Sequence, residues 1–433
     1  MPLTRRAVEY FVVATAAFGL ACYVWIYSHT PYSPIRSDGY SYYVYLPSWF
    51  IYRDLTLENL ARDWYGGAYP PFTAIRRLSS TGRWLNPHPI GVAVLTSPFF
   101  VAADLLSRWS NMPRDGFSTY YHHGAGLAAL AYLAAGLAAL RRLLSRHFSD
   151  DVVLATLVCV TWGTNVFHYG VFDGTFSHVY SFCLVCVWLL AIDEWWTRPA
   201  LTRSLALGAV AGLIVLVRHA DVIYLVLLPA YGVASMRDLA ARPGELWDRR
   251  LPLAASALAA ATVVAPQLLL YRRITAAWLV SPYTEVAGFT LQSPHWFGVL
   301  FSTQKGLFFW SPLLLMAVLG AIVGGGWSRR FVAAGAAIFA AQTAFAATWS
   351  DWQFGASYGH RAFTDGVGLA GVFIAAAFDW MQPRLPAIRR TIGGAVALLV
   401  ALSVVQMLQY WTGNLPQADT TWAQYRESFL RFR

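Results

Sequence analysis

Charge is scarce in this chain: 12% of its 433 residues are Asp, Glu, Lys or Arg, about half the share of an ordinary soluble domain. With 57% apolar residues and a mean hydropathy of +0.45, the composition excludes both a soluble globular protein and a disordered one. Lysine is almost missing, Lys305 being the only one, so arginine carries the net charge of +10. That bias is compositional, but it has a chemical effect, because guanidinium grips phosphate bidentately and ammonium does not. The excess falls on short loops between apolar runs, which is the pattern of a membrane protein and not of a nucleic-acid binder. Cysteine is rare too: Cys22, Cys159, Cys183 and Cys186 all lie inside apolar segments, which argues for reduced packing residues over disulfides or metal ligands. There is no internal repeat, heptad array or low-complexity segment.

What is present is a series of apolar runs long enough to cross a bilayer. The first covers about 9–28, and others follow at about 123–140, 152–170, 177–194, 203–218, 220–235, 251–271, 308–325, 331–348, 364–380 and 392–410. The fold class expected is therefore an all-α polytopic membrane protein of about eleven transmembrane helices, with residues 1–433 forming a single integral domain. Arg5 and Arg6 before the first run put the N-terminus in the cytoplasm, and the run continues through Trp25 and Ile26 as an uncleaved anchor. Residues 29–122 then form a long first periplasmic loop with an amphipathic surface helix over 40–52, residues 123–410 the rest of the bundle, and 411–433 a short periplasmic tail. The apolar stretch 90–106 decides this topology. It is short, contains Pro98 and Asp104, and follows Asn86-Pro87-His88-Pro89; if it crossed, the arginine-rich loops would all face outward. It is read as a helix on or dipping into the outer leaflet. The chain then belongs in a bacterial inner membrane.

This topology gathers polar residues on one side. Asp38 leads an aromatic stretch that carries Tyr40 and Tyr43, and Asp173, Thr175, Ser177 and His178 occupy the next outer loop. Arg218, His219 and Asp221 sit at an outer turn; Arg272, Arg273, Glu285, His295, Gln304 and Lys305 follow; and Asp351, Tyr358, His360 and Arg361 close the set. Each has a plain structural reading: a turn at Asp173-Gly174, a helix cap at Asp38 or Ser177, an interfacial anchor at the arginines and histidines. Ionisable groups at membrane depth are costly, however, and tend to be kept for function. Guanidinium groups suit a phosphate, aromatic rings suit sugar faces, and a carboxylate can take a proton from an acceptor hydroxyl. The combination fits transfer of a sugar from a lipid phosphate. A transporter or lipid flippase of the envelope is the alternative, which would be expected to have repeat halves and interrupted midplane helices.

Four stretches resemble the GT-C class of membrane glycosyltransferases, in its protein O-mannosyltransferase-like and lipid A aminoarabinose transferase-like branch. Asp38, just after the first span, is similar to that class's acidic catalytic position. Asn86-Pro87-His88-Pro89 looks like its His-Pro-Pro segment, Gly212 to His219 like its Gly-Leu-x-x-Leu-x-Arg-Pro turn with His219 in place of proline, and Trp352 to Arg361 like a Trp-x-x-Gly-x-Ser-x-Gly-x-Arg stretch. The resemblance implies a polyprenyl-phosphate sugar donor and a lipid, glycan or protein acceptor, with Asp38 as general base. Asp173 would support the base or the acceptor, and Arg218, Arg272, Arg273 or Arg361 would hold the donor phosphate. Tyr40, Tyr43, His88, His178, His219, Lys305, Tyr358 and His360 would line the substrates. Two features depart from the class: Asp38 is followed by Gly39 where an acid pair is common, and no large soluble domain follows the last span. No metal cluster is expected, and no cofactor beyond the lipid-linked substrate.

Overall fold

A computed structural model describes residues 3–281, 283 and 287–431 of the protein; Glu285 lies outside them. The chain is almost entirely helical. It opens with α1 (Leu3–His29), followed in the first loop by α2 (Asp38–Tyr43), α3 (Tyr45–Phe50), α4 (Glu58–Asp63) and a two-stranded hairpin of β1 (Arg76–Arg77) and β2 (Trp84–Leu85). Then come α5 (Gly91–Trp109), α6 (Thr119–Leu144), α7 (Asp150–Trp162), α8 (Val166–Val171), α9 (His178–Thr197) and α10 (Leu201–Val217). A 3-10 helix (His219–Val226) runs into α11 (Leu227–Ala230), α12 (Met236–Asp248) and α13 (Arg250–Thr275). The last third holds α14 (Trp296–Phe301), α15 (Leu307–Trp310), α16 (Leu314–Val323), α17 (Val332–Thr348), α18 (Val367–Met381), α19 (Pro386–Trp411) and α20 (Trp422–Ser428).

Eight helices among the described residues are long and apolar enough to cross a membrane. Seven answer to spans expected from the sequence, and the eighth is α5. Expected spans elsewhere are shorter or broken: 152–170 divides into α7 and α8, and 220–235 is the 3-10 helix plus α11. A 3-10 helix rises about 2 Å per residue, so these twelve residues still cover about 22 Å. Burial separates the helices into shells. The most apolar parts of Arg361–Met381, which contains α18, and of α9 are 78% and 72% buried, against 17% for α13 and for α19, so the first two are central and the other two face outward.

Side-chain contacts establish the direction of each helix. Tyr23 on α1 meets His123 on α6 at 2.9 Å, while Arg141 on α6 reaches the Glu9 carbonyl at 3.2 Å, so the two helices run antiparallel over their whole length. One end of the bundle is tied at Asp193. Its carboxylate accepts from Tyr231 at 2.7 Å, Trp327 at 2.8 Å and His147 at 3.2 Å, joining the end of α9 to three connecting segments at the bundle end where Arg5, Arg198 and Arg330 lie. Asp38 and its neighbours occupy the opposite end.

The helix α5 is long enough to span, but its contacts keep it at the Asp38 end. It starts at Gly91, packed on the Leu216 backbone at the end of α10, so closely that a Cβ there would collide. Its Leu95 carbonyl accepts from Tyr132, and its Asp104 from Tyr121 at 2.6 Å, so it climbs toward the start of α6. The stretch 40–52, expected as one amphipathic surface helix, is instead the two short helices α2 and α3, and Tyr42, Tyr43, Val44, Tyr45 and Leu46 are buried. A run of closely spaced aromatics has no polar face to leave in water, so it packs under the loop.

Helices in this bundle approach closely where glycine allows it. At Gly208 a Cβ would run into the Ser256 backbone, and Ser256 Oγ in turn bonds the Ser204 carbonyl at 2.8 Å, locking α10 to α13. Gly208→Val should therefore cost about 1–3 kcal/mol and lower the melting temperature of the detergent-solubilised protein. Gly325→Ala, where a Cβ meets nothing within 4 Å, should leave it unchanged; equal melting of the two variants would contradict this packing.

Candidate active site

Three ion pairs form the site, each between an arginine and an aspartate distant in sequence. Arg361 Nη1 lies 2.7 Å from Asp38 Oδ2. Arg218 pairs with Asp365, whose other oxygen is 2.9 Å from His178 Nδ1. Arg36 bonds Asp173 through Nε at 3.0 Å and Nη2 at 2.6 Å, while His168 Nε2 meets the second Asp173 oxygen at 2.8 Å.

Local structure brings Asp38 to this place. Ser37 has a φ of 47°, a strained conformation for a residue with a side chain, and turns the chain sharply into α2. Gly39 follows because the Thr175 side chain and backbone sit where a Cβ would be. The Asn86-Pro87-His88-Pro89 turn closes over α2: Asn86 Nδ2 donates to the Ser41 carbonyl at 2.7 Å, Tyr45 to the His88 carbonyl at 2.9 Å, and the His88 ring lies 4.3 Å from that of Tyr42.

The three carboxylates are not equivalent. The side chain of Asp173 is 4% exposed and that of Asp365 is 0%, and both oxygens of each are occupied. Asp38 is 32% exposed, and among the described residues only Arg361 bonds its carboxylate. Burial pushes the Asp38 carboxyl up, but the Arg361 guanidinium outweighs it and holds it below its ordinary value. Burial pulls the His88 imidazole down to about 4 and His360 to about 3, so both are neutral at pH 7. His88 Nδ1 and both ring nitrogens of His360 are buried without a partner among the described residues. Lys305 donates to the Ser357 and Gln417 carbonyls, fastening the tail to the loop before Arg361, and burial pulls its ammonium down to about 7.

Asp38, His88, His178, Arg218, His360 and Arg361 thus come together, with Lys305 behind them. Other expected site residues are employed elsewhere. Tyr43 is buried with its hydroxyl on the Gly116 carbonyl at 2.6 Å, and Tyr40 stacks on Phe117 at 5.7 Å within the first-loop aromatic cluster. The Tyr358 hydroxyl donates to the Ser403 carbonyl at 2.9 Å. His219 lies edge-on to Tyr271, 5.9 Å away. Arg272 and Arg273 sit on the exposed end of α13, where Arg272 reaches the Ala276 carbonyl and Arg83 caps Arg273; no ion pair among the described residues links them to Asp38. The sequence reading left out Tyr42, His168 and Asp365. An aspartate and a histidine inside expected spans are themselves a signal, whereas Tyr42 gave none apart from its neighbours.

Among the described residues no group of three or more His, Cys, Asp or Glu side chains is arranged to hold a metal ion.

No family model matches the chain, and no curated protein matches it. Among solved structures it is similar to the archaeal oligosaccharyltransferase AglB from Archaeoglobus fulgidus, in complex with an inhibitory peptide and a dolichol-phosphate. The identity is 12% and the TM-score 0.48, over 98% of this chain. The chain spans 58% of the length of that one.

The Arg36, Asp173 and His168 set generates a test of its own. Burial pushes the Asp173 carboxyl up, but Arg36 and His168 dominate and depress it strongly, so its stabilising effect is present above the unfolded carboxyl value of about 3.9 and lost as pH falls through the folded one. At pH 7, Asp173→Asn leaves a largely buried guanidinium unpaired and should cost about 3 kcal/mol or more. In an Arg36→Gln background the same substitution should cost clearly less; additive losses in thermal melts would show that the two do not act as a pair.

Proposed function

We propose that the protein is an inverting glycosyltransferase of a bacterial inner membrane, which moves a sugar from a polyprenyl-phosphate donor to an acceptor hydroxyl on the periplasmic side. The observation that carries this reading is the inequality of the carboxylates: among Asp38, Asp173 and Asp365, only Asp38 combines an open oxygen with an arginine that keeps it ionised. Such a group is a general base at neutral pH. The acceptor hydroxyl gives its proton to Asp38 Oδ1, its oxygen attacks the anomeric carbon from the face opposite the phosphate, and the carbon–oxygen bond to the phosphate breaks. Arg218 and Arg361 stabilise the charge that develops on the leaving phosphate. Asp173 acts as a positioning residue, holding Arg36 and with it the turn that carries Asp38.

A groove of about 260 Å³ between α16, α17 and α18 supports a lipid-borne substrate. Its walls include Leu314, Phe339 and Phe373, and it ends at Tyr224, Gln342 and Gly366, next to Asp365 and so to Arg218. An isoprenoid chain fits such walls, with its phosphate at the arginine end. The partners are then the lipid-linked donor, a lipid, glycan or protein acceptor, and the surrounding membrane. The arginine-rich loops at the other end support a cytoplasmic N-terminus.

Asp38→Asn should insert and bind donor normally, yet lose about 10²–10⁴-fold in transfer rate with purified protein and a panel of polyprenyl-phosphate sugars; near-normal turnover would remove Asp38 from the mechanism. With Arg361→Gln the cation that outweighs burial is gone, so the Asp38 carboxyl rises. The acid limb of the rate profile, where activity falls as the base protonates, should move to higher pH than in the unsubstituted enzyme; an unmoved limb would assign the base elsewhere.

A further inference from the structure

At the end of the bundle remote from Asp38, a cavity of about 860 Å³ opens between α1, α6, the start of α7 and α9. Arg5, Arg141, Arg142 and Arg146 line it against only Glu9 and Asp150. The arginines are not consumed by the acids around them. Arg146 is held by Glu194, but Arg142 stays 3.6 Å from Glu194 and Arg5 stays 3.6 Å from Glu9, both beyond hydrogen-bond distance. Arg141 donates to the Glu9 carbonyl at 3.2 Å and pairs with no carboxylate among the described residues. Three guanidinium groups therefore keep donors for an incoming anion. Nothing in the proposed transfer reaction uses them, since the reacting groups lie beyond the far end of α1, a helix about 40 Å long.

The rest of the cavity wall identifies the kind of anion. Val8, Ala138, Ala139 and Leu190 are apolar, and on α1 the cavity adjoins a helix whose Tyr10 and Val13 are 65% and 66% exposed on a membrane-spanning segment. A small soluble anion has no use for an apolar wall continuous with a lipid-facing helix. A phospholipid does, because its phosphate and its acyl chains arrive together, and basic pockets between transmembrane helices are suited to anionic head groups. We propose that this cavity is a binding site for an anionic phospholipid, whose phosphate is gripped by Arg141, Arg142 and Arg5 while its chains run down α1. By bridging α1 to α6 at the end away from the reaction, the lipid would hold the helix that delivers Asp38.

Native mass spectrometry of the full chain, released from nanodiscs of phosphatidylcholine with or without phosphatidylglycerol, tests this. The wild-type protein should retain phosphatidylglycerol, and Arg141→Gln with Arg142→Gln should retain it about tenfold less. The matched pair Arg389→Gln with Arg390→Gln, exposed at the start of α19 outside the cavity, should behave as wild type. Equal retention by the cavity variant, or equal loss in the α19 variant, overturns the site in favour of diffuse surface attraction. Inorganic phosphate that displaces the lipid or raises the melting temperature as far as phosphatidylglycerol does overturns the lipid in favour of a free anion. Should the double variant not fold, Arg142→Gln alone, at a side chain 67% exposed, makes the same comparison.

Discussion

An arginine side chain stays protonated under any condition the protein meets, so every guanidinium drawn into the bundle must be met by a carboxylate or remain at great cost. This constraint organises the Asp38 end of the bundle. Arg36, Arg218 and Arg361 are all largely shielded from water, and each has recruited an aspartate from a distant part of the chain. The pairings span 137, 147 and more than 300 residues of sequence, joining the first loop to the second, and the α10 turn and α2 to the 3-10 turn (Arg361–Gly366) that leads into α18. Loops that could otherwise move independently are thereby held in one arrangement.

The pairs differ in a way that divides labour. Arg36 and Asp173 are further tied by His168, which itself accepts from Trp411 at the end of α19, and Arg36 lies 4.0 Å over the ring of Phe172. Both Asp173 oxygens are occupied and the set is buried, which makes it a brace. Both Asp365 oxygens are occupied, by Arg218 and His178, and the pair adjoins the apolar groove. Of the three, only the Asp38 and Arg361 pair leaves a carboxylate oxygen open among the described residues. A charge that is held ionised yet incompletely bonded can still accept a proton, whereas a carboxylate with both oxygens occupied must first give up a partner.

Much of the Asp38 end was legible in the chain because polar residues stand out against an apolar background. Asp38, Arg218 and Arg361 were visible as ionisable groups at the margins of spans, and Gly39 as a departure that the close approach of Thr175 now explains. Tyr40 and Tyr43 were harder. Aromatic residues serve a sugar site and a hydrophobic core equally well, and these two belong to the packed interior of the first loop. Arg272 and Arg273 looked like phosphate ligands for the same reason that makes them good helix-end anchors, a long stem with a charge at its tip.

Apolar run length and arginine placement by themselves determined that this is a helical membrane protein with two chemically different ends, since the cost of exposing backbone or charge to hydrocarbon leaves few other solutions. They could not decide how α5 sits, because its length and composition satisfy a span, and only contacts with Leu216, Tyr132 and Tyr121 keep it at one end. Nor could they pair the charges. Which aspartate meets which arginine depends on helix packing between segments hundreds of residues apart, and so Asp365, hidden inside an apolar run, became a partner of Arg218 only when the bundle closed.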